Sequence, residues 1–175
     1  MLERVINIST GEVKAAGANS ILTSAAIGSC IVVAAFYPRR PAGAMAHIML
    51  PGKSSKKNEE IKLRYADDAI NELLSLLNIP EKNYQDISIC LVGAGNVLKR
   101  KDDSICRDNI TSVHNILGRK NLSIKARSLG GYSRRSVRMD VSRGEVFFTE
   151  NGSKEMLLWT AKSDEQILKG YKNEQ

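Results

Sequence analysis

The stretch IVVAAFYPRRPAGAMAHIML, residues 31–50, decides the fold. It holds two apolar runs, Ile31 to Phe36 and Ala44 to Leu50, each too short for a stable helix and bounded by breakers. Pro38, Pro41 and Gly43 interrupt any regular element between them, and Pro51-Gly52 closes the second run. Two such runs around a short loop are expected to be neighbouring antiparallel strands, buried on both faces. Upstream, RVINIS (4–9) is close to alternating, with Ile6 and Ile8 on one face. EVKAAG and SILTSA follow as two more short strands, separated by Ala18 and Asn19. The first third of the chain is therefore strand after strand.

The period changes after the polar loop GKSSKKNEE. Ile61, Ala66, Ala69, Ile70, Leu73, Leu74 and Leu77 form one helical stripe from about Glu59, with Pro80 as the stop. DISICLVG is a buried strand ending at the GAG turn, 93–95. A second helix is expected from about Ser104 to Leu117, capped by Asp102, Asp103 or Ser104 and ended by Gly118. LSIKARSL is strand-like, and SVRMDVS with EVFFTE forms a hairpin around Arg143-Gly144. This order predicts an α+β fold: a layered β-sheet sandwich, largely antiparallel, flanked by helices. Regular βαβ alternation, which a doubly wound parallel sheet requires, is missing from the first third of the chain. One domain is expected over residues 1–152. A tail follows over 153–175, in which Met156-Leu157-Leu158-Trp159 is expected to start a last helix.

The bulk composition narrows the function. At 175 residues, 42% hydrophobic and 26% charged, the chain can bury a core without disulfide staples. MLERVINIST is not a signal peptide, and no run approaches a membrane span, so a cytoplasmic protein without membrane insertion is expected. Three cysteines and two histidines without ligand spacing argue against a disulfide framework and against a zinc site; no metal or cofactor is expected. The net charge of +7 favours an acidic partner. Nucleic acid is set aside, because the basic clusters 52–58, 98–103 and 132–138 carry almost no interleaved aromatics.

The chemistry gathers at Cys30 and His47, one opening the first apolar run and one inside the second. A thiol becomes a strong nucleophile when an imidazole takes its proton, and antiparallel pairing can bring two such elements to one end of a sheet. Gly28 and Ser29 are small enough for a substrate to approach the main chain, and amides around Ser29 and Cys30 suit an oxyanion. Thr23 or Ser24 offers a hydroxyl to orient the imidazole. The bland alternative is a core: free cysteine mostly packs as a small hydrophobe, and His47 lies between Ala46 and Ile48. Cys90 is expected in the core, Cys106 half-buried on a helix, and His114 on a half-buried or solvated helix face.

Several segments together are familiar: IGSCIVV followed by GAMAHIMLPG, then RYADDAINELLSLL, LVGAGNVL, SICRDNITSVHNIL and SLGGYSRRSVRMDVSRGEVFF. From about residue 4 to 150 the chain resembles the CheD family of bacterial and archaeal chemotaxis proteins, the chemoreceptor glutamine deamidases. The resemblance implies packed β layers flanked by helices, similar to deamidating toxins. It implies conversion of glutamine to glutamate on chemoreceptor cytoplasmic helices, and a CheC-type phosphatase as partner. The family's Cys matches Cys30 and its His matches His47. Its Thr falls on Ser24, with Thr23 one position away, its Asn on Asn109, and its Arg near Arg135. The chain departs from the pattern at Cys106, usually Gly; at Ser128, often Asp; at Arg134, where a Gly is usual; and at Ala25 and Ala26. Two rivals stand beside deamidation: a regulatory binding module for CheC with little turnover, and a cysteine amidase for another protein.

Overall fold

The structure is a computed structural model that describes residues 3–162. In chain order its strands and helices are β1 (Arg4–Asn7), β2 (Val13–Gly17), β3 (Ser20–Ile27), β4 (Ile31–Tyr37), β5 (Ala42–Ile48), α1 (Glu59–Lys62), α2 (Ala66–Leu77), β6 (Ser88–Gly93), α3 (Ser104–Arg119), β7 (Ser123–Leu129), β8 (Arg135–Asp140), β9 (Glu145–Glu150) and β10 (Met156–Thr160). A 3₁₀ turn over Glu81–Asp86 leads into β6. The strands form two five-stranded sheets, one ordered β1-β3-β8-β9-β10 and the other β2-β5-β4-β6-β7. Pairing is antiparallel except for β1 with β3 and β6 with β7. The fold is the expected α+β sandwich, with helices on one side.

β4 is the middle of the second sheet, and all seven of its residues are buried. Its two faces serve two cores, which is why its sequence does not alternate. Ile31, Val33, Ala35 and Tyr37 join Ala44, Ala46 and Ile48 of β5 beneath α2 and α3. Val32, Ala34 and Phe36 face the other sheet, meeting Leu22 and Ile27 of β3, Met139 of β8 and Trp159 of β10. Burying one such aliphatic side chain is worth about 1.5–3 kcal/mol, so these two layers carry most of the stability.

The helices follow their stripes. α2 buries Ala66, Ala69, Ile70, Leu73, Leu74 and Leu77 and stops at Asn78, whose left-handed backbone (φ 52°) turns its N–H onto the Leu74 and Ser75 carbonyls. Ile61, assigned to the same stripe, belongs instead to the one-turn α1, because the chain leaves helical geometry between Lys62 and Ala66. α3 runs two residues past its expected end, and Gly118 lies within it. The loop expected across 37–43 is shorter, since Ala42 and Gly43 pair with Tyr37 and Phe36.

One expectation is corrected. Met156–Thr160 is a strand on the edge of the first sheet, not a helix; Trp159 drops into the inter-sheet core against Phe36, and edge pairing with β9 holds it extended. The remainder of the tail from Ser163 lies outside the described residues. β2 and β3, adjacent in sequence, do not pair; they leave for different sheets. That divergence lets residues of β3 face residues of β5 across the sandwich. Among the described residues no helix is long and apolar enough to cross a membrane.

Candidate active site

The site lies at the end of the inter-sheet layer where β4 begins and β5 finishes. Register pairs Val32 with His47 and Ile31 with Ile48, so Cys30 stands just beyond the last pair, opposite Met49. Side chains alternate along a strand. Cys30 therefore shares the inter-sheet face with Val32, as His47 shares it with Met45, and the two sit diagonally across the strand pair. Cys30 is half-buried, whereas only 1% of His47 is exposed.

Ser24 of β3 meets His47 from the opposite sheet. Its hydroxyl donates to the Ile8 carbonyl at 2.6 Å, so its oxygen is left to accept from His47 Nδ1–H at 2.8 Å. That arrangement fixes the tautomer: Nε2 carries the lone pair. The Thr10 hydroxyl lies at a long 3.5 Å from Nε2. Main-chain bonds hold the strand as well, with Gly11 N–H on the His47 carbonyl (2.8 Å) and His47 N–H on the Glu12 carbonyl (3.0 Å). Thr23, the rival hydroxyl, points to the other face of β3, where it reaches Asn7 Oδ1 at 3.4 Å. The one-residue alternation along β3 excludes it from the imidazole.

The bend Gly28-Ser29-Cys30 is pinned carbonyl by carbonyl. Gly95 N–H holds the Gly28 carbonyl (2.8 Å), the Asn109 amide holds that of Ser29 (3.0 Å), and Ala94 N–H holds that of Cys30 (2.6 Å). The backbone amide of Cys30 favours the thiolate form of its own side chain. Gly93 makes the close approach possible: at φ +125° it sits against the Cys30 carbonyl, and a Cβ there would collide with that oxygen and with Ile27.

The bend is supported in turn. Gly130 N–H bonds the Gly93 carbonyl (2.9 Å) and Asn96 N–H the Gly131 carbonyl (2.8 Å). Arg135, nearly buried, holds the Gly130 carbonyl at 2.8 Å and pairs with Glu150 at 2.9 Å. A cavity of about 300 Å³ opens beside the bend, lined by Gly28, Ser29, Gly95, Arg100, Cys106 and Arg134 among others.

Electrostatics favour a neutral resting pair. Burial pushes the Cys30 thiol above its ordinary value, its own amide offsets part of that, and the nearby Cys106 thiol adds to the rise. Burial pushes the His47 imidazole below 6.5, against an opposing pull from the Ile8 carbonyl. Both shifts disfavour a thiolate–imidazolium pair at rest and favour the neutral imidazole.

Among the other residues singled out, Cys90 is core and His114 half-buried on α3. Cys106, expected half-buried, is buried and lines the cavity. Thr10 carries no signal in the sequence; it reaches the site only through the turn that contacts the His47 strand. The bridging role of Asn109 has one signal in the sequence: a polar residue on the otherwise apolar stripe Cys106, Asn109, Val113, Ile116, Leu117 of α3.

Fold and site together define a class: a two-sheet α+β sandwich with a thiol and an imidazole on one inter-sheet face, and a hydroxyl from the opposing sheet on the imidazole. Comparison with known proteins makes the class particular. The family described as CheD chemotactic sensory transduction matches residues 49–150. The "Probable chemoreceptor glutamine deamidase CheD" of Chlorobium luteolum is 38% identical over 150 residues, covering 86% of this chain and 75% of that protein. The "Chemoreceptor glutamine deamidase CheD" of Thermotoga maritima is 27% identical over 156 residues, covering 89% of this chain and 97% of its own. The chain belongs to the CheD family.

Proposed function

We propose that this protein is a protein-glutamine deamidase of chemotaxis adaptation. It acts in the cytoplasm on chemoreceptor cytoplasmic helices through Cys30 and His47. The names of its relatives supply the reaction and substrate class. The observation that carries the chemistry is the Ser24–His47 hydrogen bond, which leaves Nε2 as a base on the face that Cys30 shares.

The reaction runs from the neutral pair. His47 Nε2 takes the Cys30 proton as sulfur attacks the glutamine carboxamide carbon. The C–S bond forms, the carbonyl π pair moves to oxygen, and amides near Ser29 and Cys30 bind the oxyanion. The imidazolium, steadied by Ser24, protonates the departing nitrogen. The C–N bond breaks, releasing ammonia and leaving a thioester. Water, deprotonated by His47, then breaks the C–S bond, giving glutamate and the free thiol. These steps use no metal or cofactor.

Leu98 (71% exposed) lines the cavity with Arg100 and Arg134, and Tyr132 (64% exposed) lies two residues before Arg134 in the chain. Apolar contact with flanking positive charge suits an amphipathic helix with acidic flanks, although Asp102 and Asp103 also line the mouth. Family membership makes a CheC-type phosphatase the expected protein partner, tested by co-elution of the two purified chains. The deciding experiment incubates a chemoreceptor cytoplasmic fragment with wild type and Cys30→Ala. A gain of about 1 Da per modified glutamine, from replacing the amide by an acid, is expected with wild type alone. Equal gain with both proteins would overturn the thiol mechanism, and no gain with wild type would overturn the deamidase reading.

A further inference from the structure

The pairing of β4 with β5 ends at Ile31 and Ile48, one residue short of Cys30 and one beyond His47. Past that point the strands have no reason to stay together, and Met49 has already left the ladder, donating its N–H to the Arg64 carbonyl at 2.9 Å. One side chain spans the gap. Asn109 Nδ2 donates one proton to the Ser29 carbonyl and the other to the Met49 carbonyl, each at 3.0 Å. Ser29 precedes Cys30, and Met49 lies two residues after His47.

We propose that Asn109 is a positioning residue, a clamp that continues the β4–β5 ladder through a side-chain amide and so fixes Cys30 relative to His47. The idea rests on the thiol mechanism above and adds to it the device that sets its geometry.

Three features support it. The amide cannot be reversed, because Oδ1 would then face two carbonyl oxygens. Asn109 is 0% exposed, and its Oδ1 is buried with no hydrogen-bond partner among the described residues. A buried orphan acceptor is costly, so this side chain is not one that stability alone would favour; the two bonds from its other end account for it. Finally, the clamp is mounted on a rigid element: α3 is fixed in the core by Val113, Ile116 and Leu117. Cys106, one turn earlier on the same face, lies against the cavity beside Ser29.

The test compares the full-length wild type with Asn109→Ala and Asn109→Asp, using amide hydrogen exchange and deamidation kinetics on a receptor cytoplasmic fragment. In Asn109→Ala, peptides covering 25–32 and 45–52 should exchange faster while the rest of the protein stays within about twofold. kcat should fall about 10- to 100-fold with KM little changed, because misplacing reacting groups by about 1 Å costs that much. Asn109→Asp has the same shape but sets a carboxylate against two carbonyls. Its activity relative to wild type should rise as pH falls and the acid regains a donor, a response that a packing role would not give. Unchanged exchange in those two segments, an unchanged kcat, or a flat Asp-to-wild-type ratio would overturn the clamp. So would failure of both variants to fold, which would make Asn109 a scaffold residue. If wild type itself does not deamidate, the proposed function falls, and the clamp is judged on exchange alone.

Discussion

Replacing Ser24 by alanine tests the site most directly. Its hydroxyl makes two buried hydrogen bonds, at 2.6 Å to the Ile8 carbonyl and at 2.8 Å to His47 Nδ1, and only 1% of the residue is exposed. Removing it leaves a buried acceptor and a buried donor, each costing about 1–3 kcal/mol when unmet. The Ile8 carbonyl already interacts with the imidazole and can take part of the load. The net loss expected is about 2 kcal/mol, read as a lower urea midpoint with an unchanged slope. The catalytic effect is separate. Without Ser24 only the Ile8 carbonyl is left to bias the tautomer, and kcat should fall about 10- to 100-fold. That is less than the ~10⁴ lost when a buried carboxylate partner is neutralised in serine hydrolases, because a hydroxyl carries no charge. KM should hold, since Ser24 is enclosed by protein. Ser24→Thr keeps the hydroxyl and should keep kcat within a few-fold, its extra methyl costing about 1–3 kcal/mol of stability in a packed layer. Ammonia release measured against receptor concentration gives both constants. A folded Ser24→Ala enzyme with wild-type kcat, or a Ser24→Thr enzyme as impaired as Ser24→Ala, would refute the orienting role.

Other tests follow from the same structure. His47 is held below 6.5 by burial, so the acid limb of kcat/KM should lie below that pH. By linkage, His47 gives stability that is whole above pH 6.5 and is lost as pH falls through its depressed value; His47→Gln should flatten that part of the urea-midpoint profile. Cys30 is raised above 9.0, so its alkylation by iodoacetamide, followed by intact mass, should have its midpoint above pH 9.0; a midpoint near neutrality would mean a resting thiolate. Gly93→Ala combines a disfavoured φ with a collision at the Cys30 carbonyl and should cost about 3–5 kcal/mol in denaturant unfolding. Arg100→Glu with Arg134→Glu should lower kcat/KM on a receptor fragment about tenfold at low ionic strength, with the difference shrinking in salt and absent for a small glutamine peptide.

The sequence alone determined most of the elements and the chemistry-bearing residues. β4 and β5 announced themselves because a strand buried on both faces must be apolar throughout, and α2 because its apolar spacing matches a helix turn. Cys30 and His47 stood out because a thiol opens one of those strands and an imidazole lies within the other. The sequence could not choose between Thr23 and Ser24, since alternation defines two faces without saying which is inside. Sheet assignment made that choice: β2 and β3 part into different sheets, and only then does the inner face of β3 carry Ser24 onto His47. β10 was missed for the same reason, because five apolar-leaning residues take their form from the edge they find. Asn109 bridges Ser29 and Met49 across 80 and 60 positions of sequence. Local preference acts over a few residues, whereas these contacts exist only once two sheets and a helix have closed on one another, so the tertiary structure alone decided them.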